Sequence, residues 1–146
     1  MKPPSILPCP TPPAGITVRA EPPRQAEVLR LLAASDAYMA ARYPAESNHL
    51  LDVAALEQPK VAFFVARRGA AAIGCAALVR HDQLAGELKR VFVAEHARGL
   101  KAGRLLMQAI EGHAVACGMA VIRLETGIYQ PESLALYGRL GYRRRG

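Results

Sequence analysis

Hydrophobic and polar positions along this chain change period several times, and each change marks an element. Ile16 and Val18 alternate with Thr17 and Arg19, which predicts a first strand over residues 16–20. Pro22 and Pro23 suit the entrance of a helix over residues 24–39, with Ala26, Leu29, Leu32 and Ala33 on its apolar face. The chain must turn at Tyr43-Pro44, and residues 49–56 read as a second short helix. Residues 61–67 and 72–80 read as two strands joined at Gly69, a hairpin, and residues 87–93 as the next strand. A periodic helix follows over 102–117, with Leu105, Leu106, Ala109, Ile110, His113 and Ala116 inward and Gly118 as its stop. Residues 121–126 are then a buried strand, 132–140 a helix stopped by Gly141, and Tyr142 opens a last strand. The order βααβββαβαβ predicts an α+β fold, a mixed and mostly antiparallel central sheet flanked by helices.

Composition narrows the class. With 146 residues, 51% of them hydrophobic, the chain can bury one domain's core. Residues 15–146 read as that single domain. Residues 1–14 hold Pro3, Pro4, Pro8, Pro10, Pro12 and Pro13, which deny them a ladder or a helix, so they read as a disordered extension. Arg, Glu or His interrupts every apolar run before it reaches membrane-spanning length, and Lys2 is followed by no apolar signal core. Cys9, Cys75 and Cys117 are odd in number and widely spaced, which suits neither a disulfide framework nor a zinc site. His81, His96 and His113 show no metal spacing either. The expectation is a cytoplasmic protein with free thiols, no metal and no membrane partner.

The formal charge of +7, from 19 Lys and Arg against 12 Asp and Glu, asks for an anionic partner. Nucleic acid fits poorly, because aromatic residues are only 5% and no helix carries a continuous basic stripe. One cluster stands out in Arg98-Gly99-Leu100-Lys101-Ala102-Gly103-Arg104, between a predicted strand and a predicted helix. The first amides of a helix have no partner within it, and its dipole adds partial positive charge there. A glycine-interrupted basic turn at that point can hold a phosphate. The second cluster, Arg143 to Arg145, reads as a solvated tail.

From Glu87 to Tyr142 the chain resembles the GNAT superfamily of N-acetyltransferases in its small bacterial form. The family's acetyl-CoA loop follows Gln/Arg-x-x-Gly-x-Gly/Ala, and Arg98, Lys101 and Gly103 stand at its motif positions, with lysine in place of the middle glycine. Downstream, the run from Gln130 to Tyr142 is similar to the family's Asn-x-x-Ala-x-x-Leu-Tyr-x-x-x-Gly-Phe/Tyr segment. The resemblance implies an acetyl-CoA-dependent N-acetyltransferase whose acceptor is the amine of a small molecule, attacking the thioester directly. A residue entering a helix takes ordinary αR geometry, which lysine tolerates, so Lys101 is expected to leave the loop intact.

The same resemblance assigns roles. Val91, Phe92 and Val93 would pair with the pantetheine like an added strand, and a backbone N–H of Phe92 or Val93 would polarise the carbonyl. Arg98, Gly99, Leu100, Lys101, Ala102, Gly103 and Arg104 would hold the pyrophosphate, with Gln130 and Ser133 on the cofactor's amides. Tyr137 matches the family's acid for the leaving thiolate; a half-buried tyrosine packed beside Leu134 and Leu140 is the plainer reading. Glu87 matches a general-base glutamate, against a strand-end charge paired with Lys89 or Arg90. Glu125 is the weaker candidate. Tyr43, Glu46, Ser47 and His49 would meet the acceptor, although Asp36 and Ser47 are also favoured cap types. Relatives generally continue past the final Gly-Tyr to complete a strand pair, whereas only Arg143, Arg144, Arg145 and Gly146 follow here. A truncated C-terminal strand leaves an open edge, which a homodimer or a covering loop could close. Two other readings stay open: a coenzyme A-binding module without turnover, and a protein or peptide N-acetyltransferase.

Overall fold

A computed structural model of the chain describes residues 15–42 and 52–124. Within them the order is β1 (Ile16–Ala20), α1 (Ala26–Arg42), α2 (Val53–Leu56), β2 (Val61–Arg68), β3 (Ala71–Arg80), β4 (Ala85–Val93), a 3-10 turn (Glu95–Ala97), α3 (Ala102–Ala116) and β5 (Val121–Leu124). The expected disordered extension at 1–14, the connection at 43–51, the later part of the strand at 121–126, the helix at 132–140 and the last strand lie outside the described residues. The sheet runs β1-β2-β3-β4-β5 in space. β1 to β4 are antiparallel, and β5 joins β4 in parallel, so α3 is the crossover between them. The fold is the mixed α+β sheet that the pattern predicts. No helix among the described residues is long and apolar enough to cross a membrane.

Each face of the sheet carries a core. On one side Leu106, Met107, Ile110 and Ala114 of α3 pack over Ile16, Phe64, Ala66, Ile73, Ala76, Leu78 and Leu88. On the other, Val28, Leu31 and Leu32 of α1 and Leu56 of α2 pack over Phe63, Val65, Cys75 and Ala77. Both helices are rotated relative to the faces read from their sequences. α1 buries Val28, Leu31, Leu32 and Ser35, whereas Ala26 and Ala33 are exposed and Leu29 is 37% exposed. Alanines carry little transfer energy, so the larger side chains Val28, Leu31 and Leu32 decide the orientation. In α3, Leu106 and Ile110 are buried as expected, while Leu105, Ala109 and His113 sit at the margin and Ala116 is exposed. Ala102 and Met107 complete the stripe because their side of the helix faces β3.

β4 departs from a regular strand. Cys75 and Gly74 of β3 face Phe92 and Val93, but Ala77 and Leu78 face Lys89 and Leu88, so Arg90 and Val91 together oppose Ala76. That is a bulge, and Arg90 takes the left-handed conformation usual for glycine at such a position (φ 56°). The extra residue resets which side chains face which way. Leu88 faces α3 and Lys89 the opposite side; beyond the bulge, Val91 and Val93 pack on the α3 side and Phe92 packs under α1.

Candidate active site

The connection from β4 to α3 is built to expose backbone amides. Ala94 ends the strand by donating to the Ile73 carbonyl (2.8 Å), and the 3-10 turn then redirects the chain. Gly99 sits at φ 89°, with nothing within 4 Å of where a Cβ would be, so its glycine serves backbone freedom and not close packing. Half-buried Leu100 packs on the α3-side core and anchors the loop. Lys101 then caps α3 at φ 69°, ψ 18°, the left-handed region. This corrects the expectation of αR geometry: a left-handed residue is what lets the chain turn sharply into the helix, and lysine has taken the conformation natural to the motif glycine. No side chain caps this helix, and its first turn holds no acidic residue. Lys101 and Arg104 are both exposed beside it. Bare amides, helix dipole and two cations therefore converge on one spot, a fit for a pyrophosphate.

Arg98 behaves differently from its neighbours. Its Nε donates to the Val93 carbonyl (3.2 Å), and its guanidinium lies 5.1 Å from the Tyr38 ring centroid and 5.9 Å from that of Phe92. The two rings meet edge to face at 6.0 Å. These side chains line a groove of about 640 Å³ under α1, walled by Leu31, Ala34, Ala37 and Ala72 and rimmed by Arg30, Glu95 and His96. Thus Val91, Phe92, Val93 and residues 98–104 do come together, at the end of β4 where it meets α3.

Glu87 lies further back on β4, opposite Val79 of β3 and beside Arg123 of β5. It is 25% exposed and lines a second cavity, about 200 Å³, with Ala55, Gln58, Lys60, Val61, Val79, His81 and Lys89. Both of its oxygens are engaged: Oε1 with His81 Nε2 at 2.7 Å, Oε2 with Lys89 Nζ at 3.1 Å. Burial pulls its proton affinity up, but the His81 and Lys89 contacts together outweigh that and hold it below the usual carboxylate range.

Arg90 does not reach Glu87. Its Nη1 donates to Asp36 Oδ1 at 2.6 Å beneath α1, and its buried Nε has no partner. Asp36 is accordingly no helix cap; it lies inside α1 and ties that helix to the bulge. The Cys75 thiol beside them donates to the Arg90 carbonyl (3.3 Å) and is pushed up to about 12 by burial, against a smaller opposite pull from Arg90.

Tyr43, Glu46, Ser47, His49, Glu125, Gln130, Ser133 and Tyr137 lie outside the described residues. Among the described ones, no group of three or more His, Cys, Asp or Glu gathers as a metal site. Lys89 pairs with Glu87 as the plainer reading of that glutamate expected, whereas Tyr38, Asp36 and His81 are site neighbours that the sequence reading passed over as such. His81 was within reach: placing Val79 opposite Glu87 sets it two residues on, on the same face of the hairpin.

Comparison with known proteins agrees with this geometry. The profile described as the Acetyltransferase (GNAT) family matches residues 27–142. An IAA acetyltransferase of Azospirillum brasilense is 43% identical over 133 residues, covering 90% of this chain and 87% of its own. A Klebsiella pneumoniae protein assigned as an acyl-CoA N-acyltransferase superposes with a TM-score of 0.75 at 32% identity, over 90% of this chain and 86% of that one. A GNAT acetyltransferase of Elizabethkingia anophelis with acetyl-CoA bound shares the fold at 20% identity (TM-score 0.65, covering 90% and 78%).

Proposed function

Since the chain belongs to the GNAT acetyltransferase family and is an enzyme that uses acetyl-CoA, we propose that the end of β4 and the start of α3 form its cofactor site, with the backbone of residues 98–104 and the side chains of Lys101 and Arg104 on the pyrophosphate. The Arg98 side chain is instead turned into the groove beside Tyr38 and Phe92. The observation that carries this reading is the N-terminus of α3, uncapped, free of acid in its first turn and flanked by Lys101 and Arg104. The bound cofactor supplies an acyl thioester; everything else falls to this chain. The backbone of Val91, Phe92 and Val93 aligns the pantetheine, and an N–H of Phe92 or Val93 polarises the acetyl carbonyl. Glu87, ionised at neutral pH, takes the proton that the acceptor's ammonium must lose before its nitrogen can bond to the carbonyl carbon. As the carbon–sulfur bond breaks, Tyr137 gives the departing thiolate its proton and regains one from the newly bonded nitrogen, which must shed it to become the amide, and Gln130 and Ser133 hold the cofactor's amides.

The acceptor is a small molecule, met by Tyr43, Glu46, Ser47 and His49. The 43% identical relative is named for IAA, so IAA joins the screen; indole-3-acetic acid carries no ammonium, and the step assigned to Glu87 is tested on the amine acceptors. Buried, unpaired Cys75 and half-buried, unpaired Cys117 suit a reducing compartment, the cytoplasm. The test has two stages. Acetyl-CoA should raise the melting temperature in proportion to the logarithm of its concentration above Kd, by the equivalent of about 2.7 kcal/mol at a hundred times Kd. IAA, polyamines and free amino acids are then screened for coenzyme A thiol release. A melt that does not move across the titration sinks the cofactor site.

A further inference from the structure

Building on the reading of Glu87 as proton acceptor, we infer that His81 is its positioning residue, and that Glu87 works only while His81 holds it. The contact is short, 2.7 Å from Nε2 to Oε1, and the histidine is itself held. The turn that carries it is closed by the His81 amide donating to the Ala85 carbonyl (3.0 Å) and by Asp82 Oδ1 accepting from the Leu84 and Ala85 amides, both at 2.8 Å. Immediately before it, Arg80 Nη2 donates to the carbonyls of Gln83 (2.9 Å) and Cys117 (3.1 Å), fastening the same turn to the end of α3. The imidazole therefore reaches Glu87 from a rigid support.

A carboxylate has about four acceptor lone pairs. His81 and Lys89 take one on each oxygen, which leaves one on each for an incoming ammonium in the cavity. With both oxygens gripped, the carboxylate loses its rotational freedom before the acceptor arrives, the preorganisation that proton transfer rewards. The two grips differ in kind. Lys89 contributes a permanent charge. His81, 45% exposed, can donate Nε2–H while neutral and becomes a second cation when protonated, which weakens Glu87 as a base. The other charged groups around the imidazole are Lys60 ahead of β2, Asp82 in the turn, and Arg123 on β5, which acts on Asp82.

The experiment compares wild type with His81→Ala, His81→Gln, Glu87→Gln and the double variant His81→Ala/Glu87→Gln. Acetyl-CoA turnover is measured across pH with IAA, spermidine and free amino acids as acceptors, and melting temperatures check folding. His81→Ala should lower kcat roughly 10-fold, a part of the 10²–10⁴ that a positioned base supplies, with the KM for acetyl-CoA unchanged. His81→Gln, which keeps an N–H at similar reach, should restore most of kcat. His81→Ala should add nothing once Glu87 is Gln. NMR of the imidazole nitrogens supplies a readout that needs no acceptor: the Nε2–H tautomer in wild type, a mixture in Glu87→Gln. An active Glu87→Gln overturns the general-base reading itself. An impaired Glu87→Gln beside an unaffected His81→Ala, or additive losses in the double variant, overturns the His81 inference alone; so does a tautomer mixture already present in wild type.

Discussion

Lys101 holds a left-handed conformation at the entry to α3 (φ 69°, ψ 18°) and makes no side-chain capping bond. For a residue with a Cβ that conformation costs about 1–2 kcal/mol. Glycine removes the strain but makes the unfolded chain freer, at roughly 0.4–1 kcal/mol. Lys101→Gly should therefore be more stable than Lys101→Ala by about 0.5–1 kcal/mol, or roughly 1–4 °C in melting temperature for a chain of this size. Both variants lose the same ammonium, and neither should change the direction of the α3 amides, because the backbone already follows the path that glycine prefers. Both should consequently raise the KM for acetyl-CoA by a similar factor, about 2- to 5-fold for one solvated charge beside a pyrophosphate, and less at high salt. Differential scanning fluorimetry and initial rates at two ionic strengths measure the two halves separately. Equal melting temperatures for the Gly and Ala variants would refute the strain. A lower KM in Lys101→Gly than in wild type would show that the ammonium obstructs the site and does not serve it.

Gly86→Ala should cost about 2 kcal/mol by chemical denaturation, since its Cβ would meet Met119 Sδ at 2.9 Å and Leu78 Cδ1 at 3.0 Å. Glu21 is bonded in fork fashion to Arg67 (3.0 Å at both oxygens), and those bonds outweigh desolvation to hold its proton affinity below the ordinary range. A depressed folded value means stability that is present above the unfolded carboxylate's titration and lost as pH falls through the folded one. Glu21→Gln should thus cost about 1 kcal/mol at neutral pH and less as the acid limb is approached, in denaturation curves collected from pH 7 downward. Cys75, buried and with its thiol pushed up to about 12, should resist iodoacetamide until the chain unfolds; labelling at the folded protein's rate for Cys117, read by peptide mass spectrometry, would contradict that burial. Tyr137→Phe should lower kcat while leaving acetyl-CoA binding intact, as separated by turnover and calorimetry.

Strands and crossover were legible because their periods are unambiguous: β2 and β3 match their expected spans to within a residue, and Gly69 turns the hairpin at φ 62°. The basic, glycine-interrupted turn between β4 and α3 was legible too, since its composition is local. What the pattern could not carry was rotation about a helix axis. In α1 six alanines dilute the period, so the packing of Val28, Leu31 and Leu32 against the sheet had to decide it. Arg90 likewise reads as an ordinary strand residue; nothing in its neighbours announces a bulge, which arises from pairing with β3. The short 3-10 turn at Glu95–Ala97 escaped for a related reason, being set by how Ala94 closes onto Ile73.

Glu87 and Phe92 are five positions apart, an odd spacing that in an unbroken strand would send them to opposite sides of the sheet. The doubled step at Arg90 and Val91 makes the parity even, so the carboxylate and the aromatic ring share a single surface, one at each end of the strand. Deleting one residue there would repair the ladder and leave the two four apart, still on one surface; drawing Arg90 into a one-for-one ladder with nothing removed would instead send the carboxylate and the ring to opposite sides of a tidier sheet.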